Sequence, residues 1–524
     1  MPQRRNPWEI PDEEMAGIHY MLAGPHRSGY DAKWESGYVI EDYLELPSYE
    51  LGEGMKIHDV VWGECKIGNE PYDQLLMRLA RTPLFRRLQS VEQLTLGPDH
   101  STVPNTAMFS RWQHIWGSLV FVRKMTEGDE RFNERDRIVM QLRTLFSDVG
   151  QTSFSHLGDW LFQGVQGGED LHDEDLRALL RVNGIEELLA EYDLTIEETV
   201  FPIVKDWVEC PSPALCVDRV DYGLREILRW GKPSIPMMFM KNKLSNPRSL
   251  FEIDEDKQLV IQDMEFARYF AAGFSILPTE HWAHPVHRVQ LELLQSVVRS
   301  ALVDELATDL AHPRELMYGI DSDFTPFFHT WDGLFIDRTM KDIGQWQRQI
   351  FVEARRRDLD EVFRGINNPS WTFPNFPDPL MPYSWQTRHY TLPIPPTMSM
   401  ELVDEHKQEM AATPYGLEIH LPSLKARAVD PPVRIGDTVV PLSVWEPSYK
   451  RYLEGQYAVM RRAYRATIHM RPDIAEGIVA QHRKTLSQWP ELLRRPRDDA
   501  RLRQKIKDTM PYAAARCFDM ISEV

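Results

Sequence analysis

Apolar residues recur every three or four positions along most of the chain between about residues 70 and 310. This spacing places apolar side chains on one face of a helix and polar side chains on the other. It predicts amphipathic helices at 106–125, 134–149 and 214–229, and one helix interrupted at Asn183-Gly184. The pattern therefore indicates a mainly α fold.

Strand signals are fewer and lie mostly in the later part of the chain. Residues 250–262 predict a hairpin, because two short apolar runs flank a polar turn at 254–256. The later segments predict short strands at Leu417–Leu421 and Thr438–Leu442, then helices around 445–469 and 471–508. The expected fold is a helical core with small β-hairpin additions and a helical C-terminal region.

These patterns divide the chain into four parts. Residues 1–55, rich in Gly, Pro, Tyr and acidic side chains, indicate an irregular N-terminal extension. Residues 56–330 form the predicted helical core, and residues 401–524 a C-terminal region of helices and strands. Residues 331–400 collect prolines and aromatic side chains, which is too apolar for a flexible linker. We expect that segment to be ordered and to wrap over the core.

Composition excludes some classes of partner. The chain has 524 residues, 42% of them hydrophobic, and a net charge of 60 − 79 = −19. An acidic surface disfavours binding to nucleic acid and to anionic membranes. No apolar run is long enough to span a membrane, and the four cysteines, without CxxC spacing, are typical of a reducing compartment. We expect a soluble cytoplasmic protein that binds no membrane.

Three predicted helices carry polar residues away from their apolar stripes. These are Arg111 and His114 on the first, Ser147 and Asp148 on the second, and Asp218, Asp221 and Arg225 on the third. A metal site assembled from several helices requires such positions. Solvent-exposed helix faces produce the same pattern, and the pattern alone favours that simpler interpretation.

Five short motifs occur in order along the chain. They are TPLFRRLQSVEQL at 82–94, FSRWQHIWGS at 109–118, FSDVGQTSFSH at 146–156, DLHDED at 170–175 and CVDRVDY at 216–222. In order and spacing they resemble the motifs of the HD-domain deoxynucleoside triphosphate triphosphohydrolases. The hairpin and residues 427–447 also look like the later part of bacterial members. The resemblance covers about 55–470 and implies an HD-domain helical core.

The resemblance also implies roles for individual residues. The metal ligands would be His114, Asp148 and Asp218. The substrate-binding residues would be Gln93, Leu94, Arg111, Arg219 and Tyr222. The catalytic positions would be those of His156, His172 and Gln151. The ligand would be a nucleotide or a related phosphorylated small molecule, and the protein would form a homo-oligomer.

Two residues depart from the family pattern at its centre. Ser147 stands in place of the histidine of the His-Asp doublet, and Gln151 in place of the next motif histidine. Serine is a poorer ligand than imidazole for a divalent transition metal, and glutamine does not titrate near neutrality. A milder change is Asp173 after His172, where the family has glutamate. The implied cofactor is thus a divalent metal (Mn²⁺, Mg²⁺, Fe²⁺ or Zn²⁺) at a weakened site.

Two functions of different classes follow from this departure. The first is a metal-dependent phosphohydrolase that cleaves a dNTP to deoxynucleoside and triphosphate at an impaired or altered site. The second is a catalytically inactive HD pseudoenzyme that senses nucleotide or scaffolds an assembly. A third and weaker hypothesis is different chemistry at a single metal.

Two other groups of side chains could carry chemistry. His281, His284 and His287 recur every three residues around Pro285. That spacing is compatible with a metal but is more typical of helix capping and packing, although His284 could instead border the nucleotide pocket. Cys210 and Cys216 flank a Pro-Ser-Pro turn, for which we expect a structural role.

Overall fold

The computed structural model describes residues 55–68, 70–96, 109–163, 171–200, 207–230, 243–278, 282–306, 311–318, 340, 389–390, 397–403, 410–423 and 427–507. The predicted N-terminal extension and most of the proline-rich segment lie outside these ranges. So does His281, and the side chain of His172 is likewise outside the described part. The four-part division of the chain stays a prediction.

Helices dominate the described chain and confirm the mainly α prediction. They are α1 (Asp73–Ala80), α2 (Pro83–Arg86), α3 (Arg111–Thr126), α4 (Glu134–Phe146), α5 (Leu157–Gln163), α6 (Leu171–Val182), α7 (Ile185–Ala190), α8 (Ile196–Thr199), α9 (Val217–Trp230), α10 (Met264–Leu277), α11 (Pro285–Glu305), α12 (Pro313–Met317), α13 (Leu442–Trp445), α14 (Pro447–Met460) and α15 (Pro472–Leu492). A last helical segment, α16, covers 499–507. Within the described ranges, no helix is both long enough and apolar enough to cross a bilayer.

Strands form three small sheets in the described chain. They are β1 (Met55–Asp59), β2 (Gly63–Ile67), β3 (Phe251–Ile253), β4 (Leu259–Ile261), β5 (His389–Tyr390), β6 (Thr397–Val403), β7 (Met410–Thr413), β8 (Gly416–Leu421), β9 (Pro432–Ile435), β10 (Thr438–Pro441) and β11 (Ala463–His469). The sheet orders are β1-β2, β10-β9-β4-β3 and β5-β6-β11-β8-β7. The predicted hairpin is β3-β4, so that prediction is confirmed.

Two helix predictions in the C-terminal region are wrong in part. Residues 463–469 form strand β11, which lies between β6 and β8 and pairs with both. Its burial alternates, with Tyr464, Ala466 and Ile468 inside, which is the period of a strand. The helix expected over 471–508 ends at Leu492 and resumes at residue 499. Pro496, which lacks the backbone N–H that a continuous helix needs, lies in the break.

Helix α3 lies at the centre of the core. It begins with a capping box in which Ser110 accepts from the Gln113 backbone and Gln113 accepts from the Ser110 backbone. Every residue of α3 except Lys124 is buried. The interpretation of His114 as part of a solvent-exposed face is therefore wrong, because α4 and α9 pack on either side of α3.

The segment around residue 430 belongs to the same core. Strand β9 pairs in parallel with β4 of the hairpin, where Ile261 lies opposite Val433. Ala428 and Val429 pack into the hydrophobic cluster that also contains the apolar face of α3. The residues immediately before β9 therefore lie close to the helices that carry the motifs.

Candidate active site

The side chain of His114 connects α3 to α9. Its Nδ1 lies 2.7 Å from Asp221 Oδ2, and its Nε2 lies 3.0 Å from Asp218 Oδ1. The same Nε2 lies 3.7 Å from Asp148 Oδ2, in the segment that follows α4. Helices α3 and α9 and the turn after α4 therefore bring one imidazole nitrogen and two carboxylates close together.

A buried network behind His114 fixes this arrangement. Asp221 accepts hydrogen bonds from Trp62 Nε1 at 2.6 Å and from Arg225 Nε at 2.7 Å. Arg225 also binds Asp59, whose other carboxylate oxygen accepts the backbone N–H of Trp62. Because a carboxylate holds the Nδ1 side of the imidazole, the Nε2 side is oriented towards Asp148 and Asp218.

Protonation of His114 reflects these partners. Burial lowers its pKa, but the hydrogen bonds to Asp218 and Asp221 outweigh burial and raise the pKa from 6.5 to about 10. Without a cation at this point, the imidazolium is the group that balances the surrounding carboxylates. A metal at Nε2 would have to displace that proton.

The two carboxylate oxygens of Asp148 face different partners, His114 and the guanidinium of Arg111. Its Oδ1 accepts from Arg111 Nη1 at 2.7 Å, while Oδ2 faces His114. Both side chains of the Arg111–Asp148 pair are almost fully buried. Among the described residues, no group of three or more His, Cys, Asp or Glu side chains has the arrangement of a formed metal site. The predicted ligands are adjacent, and Asp148 is at the same time engaged by Arg111.

Arg111 links this cluster to His156. Its Nη2 donates to Ser155 Oγ and lies 3.3 Å from His156 Nε2. The opposite ring nitrogen of His156 lies 3.0 Å from Asp159 Oδ2. Burial lowers the pKa of His156 to about 4. The hydrogen bond to Asp159 raises this pKa, whereas the charges of Arg427 and Arg111 lower it. At neutral pH His156 is therefore uncharged.

Arg427 is a site residue that the motif analysis missed. It is half-buried and close enough to Arg111, Asp148 and Asp159 to interact electrostatically with all three. Burial first, and then the like charge of Arg111, lower its pKa to about 10. Its guanidinium lies 5.9 Å from the centroid of the Trp282 ring. The site thus holds a second cation, and that cation is contributed by the chain before β9.

Comparison with curated proteins identifies relatives at low identity. The metal-dependent phosphohydrolase cns2 of Cordyceps militaris is 25% identical over 235 residues, covering 44% of this chain and 61% of that protein. YdhJ, an uncharacterized protein of Bacillus subtilis, is 24% identical over 252 residues, covering 47% and 69%. The bovine deoxynucleoside triphosphate triphosphohydrolase SAMHD1 is 24% identical over 241 residues, covering 42% and 39%. No protein-family model matches the chain.

The relatives named as phosphohydrolases match the family that the ordered motifs indicate. The chain thus resembles the HD-domain superfamily both in its ordered motifs and in these relatives. It spans about three fifths of the length of cns2 and two fifths of bovine SAMHD1. The sequence similarity therefore concerns only a part of those proteins.

Ser147 and Gln151, at the two positions where the resemblance implies motif histidines, have other hydrogen-bond partners. Ser147 donates its hydroxyl hydrogen bond to the Thr144 carbonyl at 2.9 Å, in the last turn of α4. Gln151 follows Asp148 in a tight turn, and its carbonyl accepts from Arg87 Nη1 at 2.7 Å. The side-chain oxygen of Gln151 has no hydrogen-bond partner among the described residues.

The substrate-binding positions implied by the HD family are spread around the cluster. Tyr222 is buried with its ring edge-on to His114, at 6.1 Å between centroids, and it also contacts Phe274 and Trp282. The Gln93 carbonyl accepts from Arg111 Nη2 at 3.4 Å, whereas Leu94 is packed in the hydrophobic core. A ligand in this part of the HD domain would meet an aromatic wall formed by Tyr222 and Trp282.

Arg219 does not point into the cluster with the other cations. Its Nη1 donates to the Ala214 carbonyl at 2.6 Å, and its Nη2 donates to the Cys210 carbonyl at 2.7 Å. The side chain is thus folded onto the loop before α9. The geometry does not assign Arg219 a phosphate contact in this arrangement.

The histidines around Pro285 have structural contacts. His284 caps α11 by accepting from the Val286 backbone at 3.2 Å, as the capping interpretation expects. His284 and His287 are both buried, and burial lowers the pKa of each to about 3. Two uncharged, buried rings at a helix start are consistent with packing and capping.

Proposed function

We propose that this HD-domain chain is a metal-dependent phosphohydrolase that cleaves a nucleoside triphosphate at the cluster of His114, Asp148 and Asp218. The observation that carries the proposal is the convergence of these three side chains on one point, with Asp221 holding the far side of His114. The phosphohydrolase names of the relatives support the same reaction class. A deoxynucleotide substrate, a cytoplasmic location and a homo-oligomeric state are further parts of the proposal.

The donor set suits a divalent cation. One imidazole nitrogen and two carboxylates can hold Mn²⁺, Fe²⁺, Zn²⁺ or Mg²⁺ with water completing the shell. When bound, such a metal would polarise a phosphate oxygen and acidify an attacking water. The carboxylate of Asp221, by accepting from Nδ1, fixes the imidazole tautomer that leaves Nε2 available as a ligand.

The remaining side chains supply binding and proton transfer. Buried Arg111 and half-buried Arg427 are two cations beside the cluster, and a polyphosphate would neutralise both. His156 is uncharged, with its Nδ1 on Asp159 and its Nε2 facing Arg111. A bound polyphosphate would neutralise Arg427 and Arg111, whose charges lower the pKa of His156, and in that complex we assign His156 the role of a proton acceptor near the phosphate.

A specific observation also favours the pseudoenzyme as a second candidate. The Ser147 hydroxyl is used by the Thr144 carbonyl, so the doublet contributes one ligand where the family has two. The Arg111–Asp148 ion pair also competes with a metal for Asp148. A protein of this kind would bind nucleotide through Arg111 and Arg427 without turning it over.

The two candidates are separated by metal content and turnover. Protein purified without chelator is analysed for bound metal, and triphosphate release from dNTPs is followed with Mn²⁺, Mg²⁺ and Fe²⁺. The enzyme is expected to hold metal near stoichiometry and to release triphosphate, with both lost in Asp218→Ala. Asp437→Ala, an exposed aspartate in the β9–β10 turn, is the matched control.

Absence of metal and turnover, with a dNTP still raising the melting temperature, supports the sensor instead. Ser147→His combined with Gln151→His then tests the doublet itself. If the double substitution leaves Mn²⁺ affinity unchanged, Ser147 does not occupy the position of the missing ligand.

A further inference from the structure

Two cysteines share one guanidinium beside the start of α9. Arg219 Nη1 lies 3.6 Å from Cys210 Sγ and 3.2 Å from Cys216 Sγ. Both thiols are free, and the chain between them is the short Pro-Ser-Pro loop. Arg219 therefore holds the two cysteines side by side. This contact does not involve the cluster of His114, Asp148 and Asp218.

The environments of the two thiols differ in accessibility. Cys216 is fully buried, whereas Cys210 is half-buried and lines a pocket of about 370 Å³. The β3–β4 turn residues Asp256 and Lys257 form part of the opposite wall of this pocket. Cys210 is therefore the thiol of the pair that is open to a small oxidant, whereas Cys216 is not exposed.

Cys210 is also the more reactive nucleophile. A hydrogen bond to Cys216 lowers the pKa of Cys210, and burial opposes this effect. The positive charge of Arg219 lowers the pKa further, so that it falls from 9.0 to about 7. The third described cysteine, Cys65, is buried, and burial raises its pKa to about 11. Since the thiolate is the reactive form, an oxidant should discriminate between Cys210 and Cys65.

We propose that Cys210 and Cys216 are a peroxide-reactive pair that closes to an intramolecular disulfide and changes the anchoring of Arg219. The Cys210 thiolate attacks a hydroperoxide, forming an S–O bond while the O–O bond breaks and hydroxide leaves. Cys216 then attacks that sulfur, forming the S–S bond and releasing water after its proton has passed to the leaving oxygen. Two thiols lose two electrons and two protons, and the peroxide is reduced to two waters.

The consequence is local to the start of α9. Arg219 uses the two sulfurs and the carbonyls of Cys210 and Ala214 as its acceptors. Closing the disulfide draws residues 210 and 216 together and changes that set of acceptors. Asp218 precedes Arg219 directly, so the redox state of the pair is transmitted to the edge of the HD cluster.

The test uses the full chain carrying Cys517→Ser, which removes the cysteine outside the described residues. After brief treatment with hydrogen peroxide, trypsin releases residues 206–219 as one peptide that contains both cysteines. We expect this peptide to lose two hydrogen atoms in mass and to recover them with a reducing agent. Oxidation of Cys210 should be roughly tenfold faster than oxidation of Cys65.

Single variants separate the two steps. In Cys216→Ser the sulfenic acid on Cys210 should persist and react with dimedone, whereas Cys210→Ser should show no labelling at residue 216. Arg219→Gln should slow oxidation of Cys210 several-fold, and Arg434→Gln, which removes a guanidinium bound to Glu252 instead, should not.

Equal labelling of Cys65 and Cys210, or over-oxidation of Cys210 without a disulfide in the parent protein, would overturn the proposal. These readouts contain no nucleotide and no metal. A protein that turns over no dNTP can still pass them, so failure of the hydrolase proposal and failure of this one are distinguishable.

Discussion

At the residue scale, the main addition to the motif residues is a cation from a distant part of the chain. Arg427 lies just before β9 and interacts electrostatically with Arg111, Asp148 and Asp159. Two like charges in one buried site repel each other, and a bound polyanion relieves that repulsion. The charge of the site therefore favours a ligand with more than one phosphate.

Replacement of Arg427 by glutamine should weaken binding of inorganic triphosphate by about ten- to a hundredfold, because a hydrogen bond to a charged group contributes about 1.5–3 kcal/mol. Arg427→Lys should retain part of the affinity, since it keeps the charge. Titration calorimetry with inorganic triphosphate measures both variants, and Arg434→Gln on β9 is the matched control. A lower melting temperature with unchanged affinity would instead make Arg427 a structural support for Trp282.

The sequence indicated the residues of the cluster but not the residues that surround it. The resemblance of the motifs to the HD family implied His114, Asp148 and Asp218 as metal ligands, and the three are adjacent in the fold. Arg427 could not be found that way, because its position depends on the parallel pairing of β9 with β4. No local pattern in either strand predicts that long-range pairing.

At the element scale, the close approach of α3 and α9 depends on Gly117. A Cβ added to Gly117 would lie 1.5 Å from Arg225 Nη2 and 2.7 Å from Asp221 Oδ1. The absence of a side chain is therefore what lets α9 bring Asp221 to His114. Glycine costs stability within a helix, and here that cost is offset by the buried network.

Gly117→Ala should destabilise the protein by about 1–3 kcal/mol, because α9 and α3 must separate or Arg225 must move. It should also weaken Mn²⁺ binding, since Asp221 would no longer orient His114. Denaturant unfolding and metal titration measure the two effects. Ser118→Ala is the control on the same helix, because the buried Ser118 hydroxyl has no hydrogen-bond partner among the described residues. Equal stability of the two variants would mean that α3 tolerates a side chain facing α9.

Predictions of single elements were confirmed where one face of the element packs against the core. They were wrong where pairing with distant strands determines the conformation. The interruption at Asn183-Gly184 is confirmed, since α6 ends at Val182 and α7 begins at Ile185, with Gly184 at positive φ. Strand β11 was mistaken for helix because its apolar residues continue a run from α14. Its pairing with β6 and β8, which are distant in sequence, determines its conformation.

At the scale of the whole molecule, the C-terminal region shares its core with the motif helices. Leu502 and Ile506 of α16 belong to the hydrophobic cluster that contains α3. Phe162 of α5 stacks on Trp489 of α15 at 5.8 Å between centroids. Because both contacts cross from the helical core to the C-terminal region, we expect the described parts to unfold together.

Asp175 tests that expectation, since it is a buried carboxylate at the junction. It accepts from Tyr318 Oη at 3.0 Å and from Arg314 Nη1 at 3.4 Å, and it pairs with Arg497 between α15 and α16. Asp175→Asn keeps the volume but leaves two guanidinium groups without the charge that balances them. Removing one partner of a buried ion pair typically costs about 3–5 kcal/mol.

The variant should therefore unfold in a single transition at a clearly lower temperature, measured by calorimetry together with far-UV circular dichroism. Asp473→Asn is the matched control, because the Arg471–Asp473 pair is exposed and its loss should leave the transition unchanged. Two separate transitions in Asp175→Asn, with only the later one retained at the parent temperature, would show that the C-terminal region folds apart from the HD domain. In that case Arg427 would be brought to the HD cluster by docking between two separately folded units.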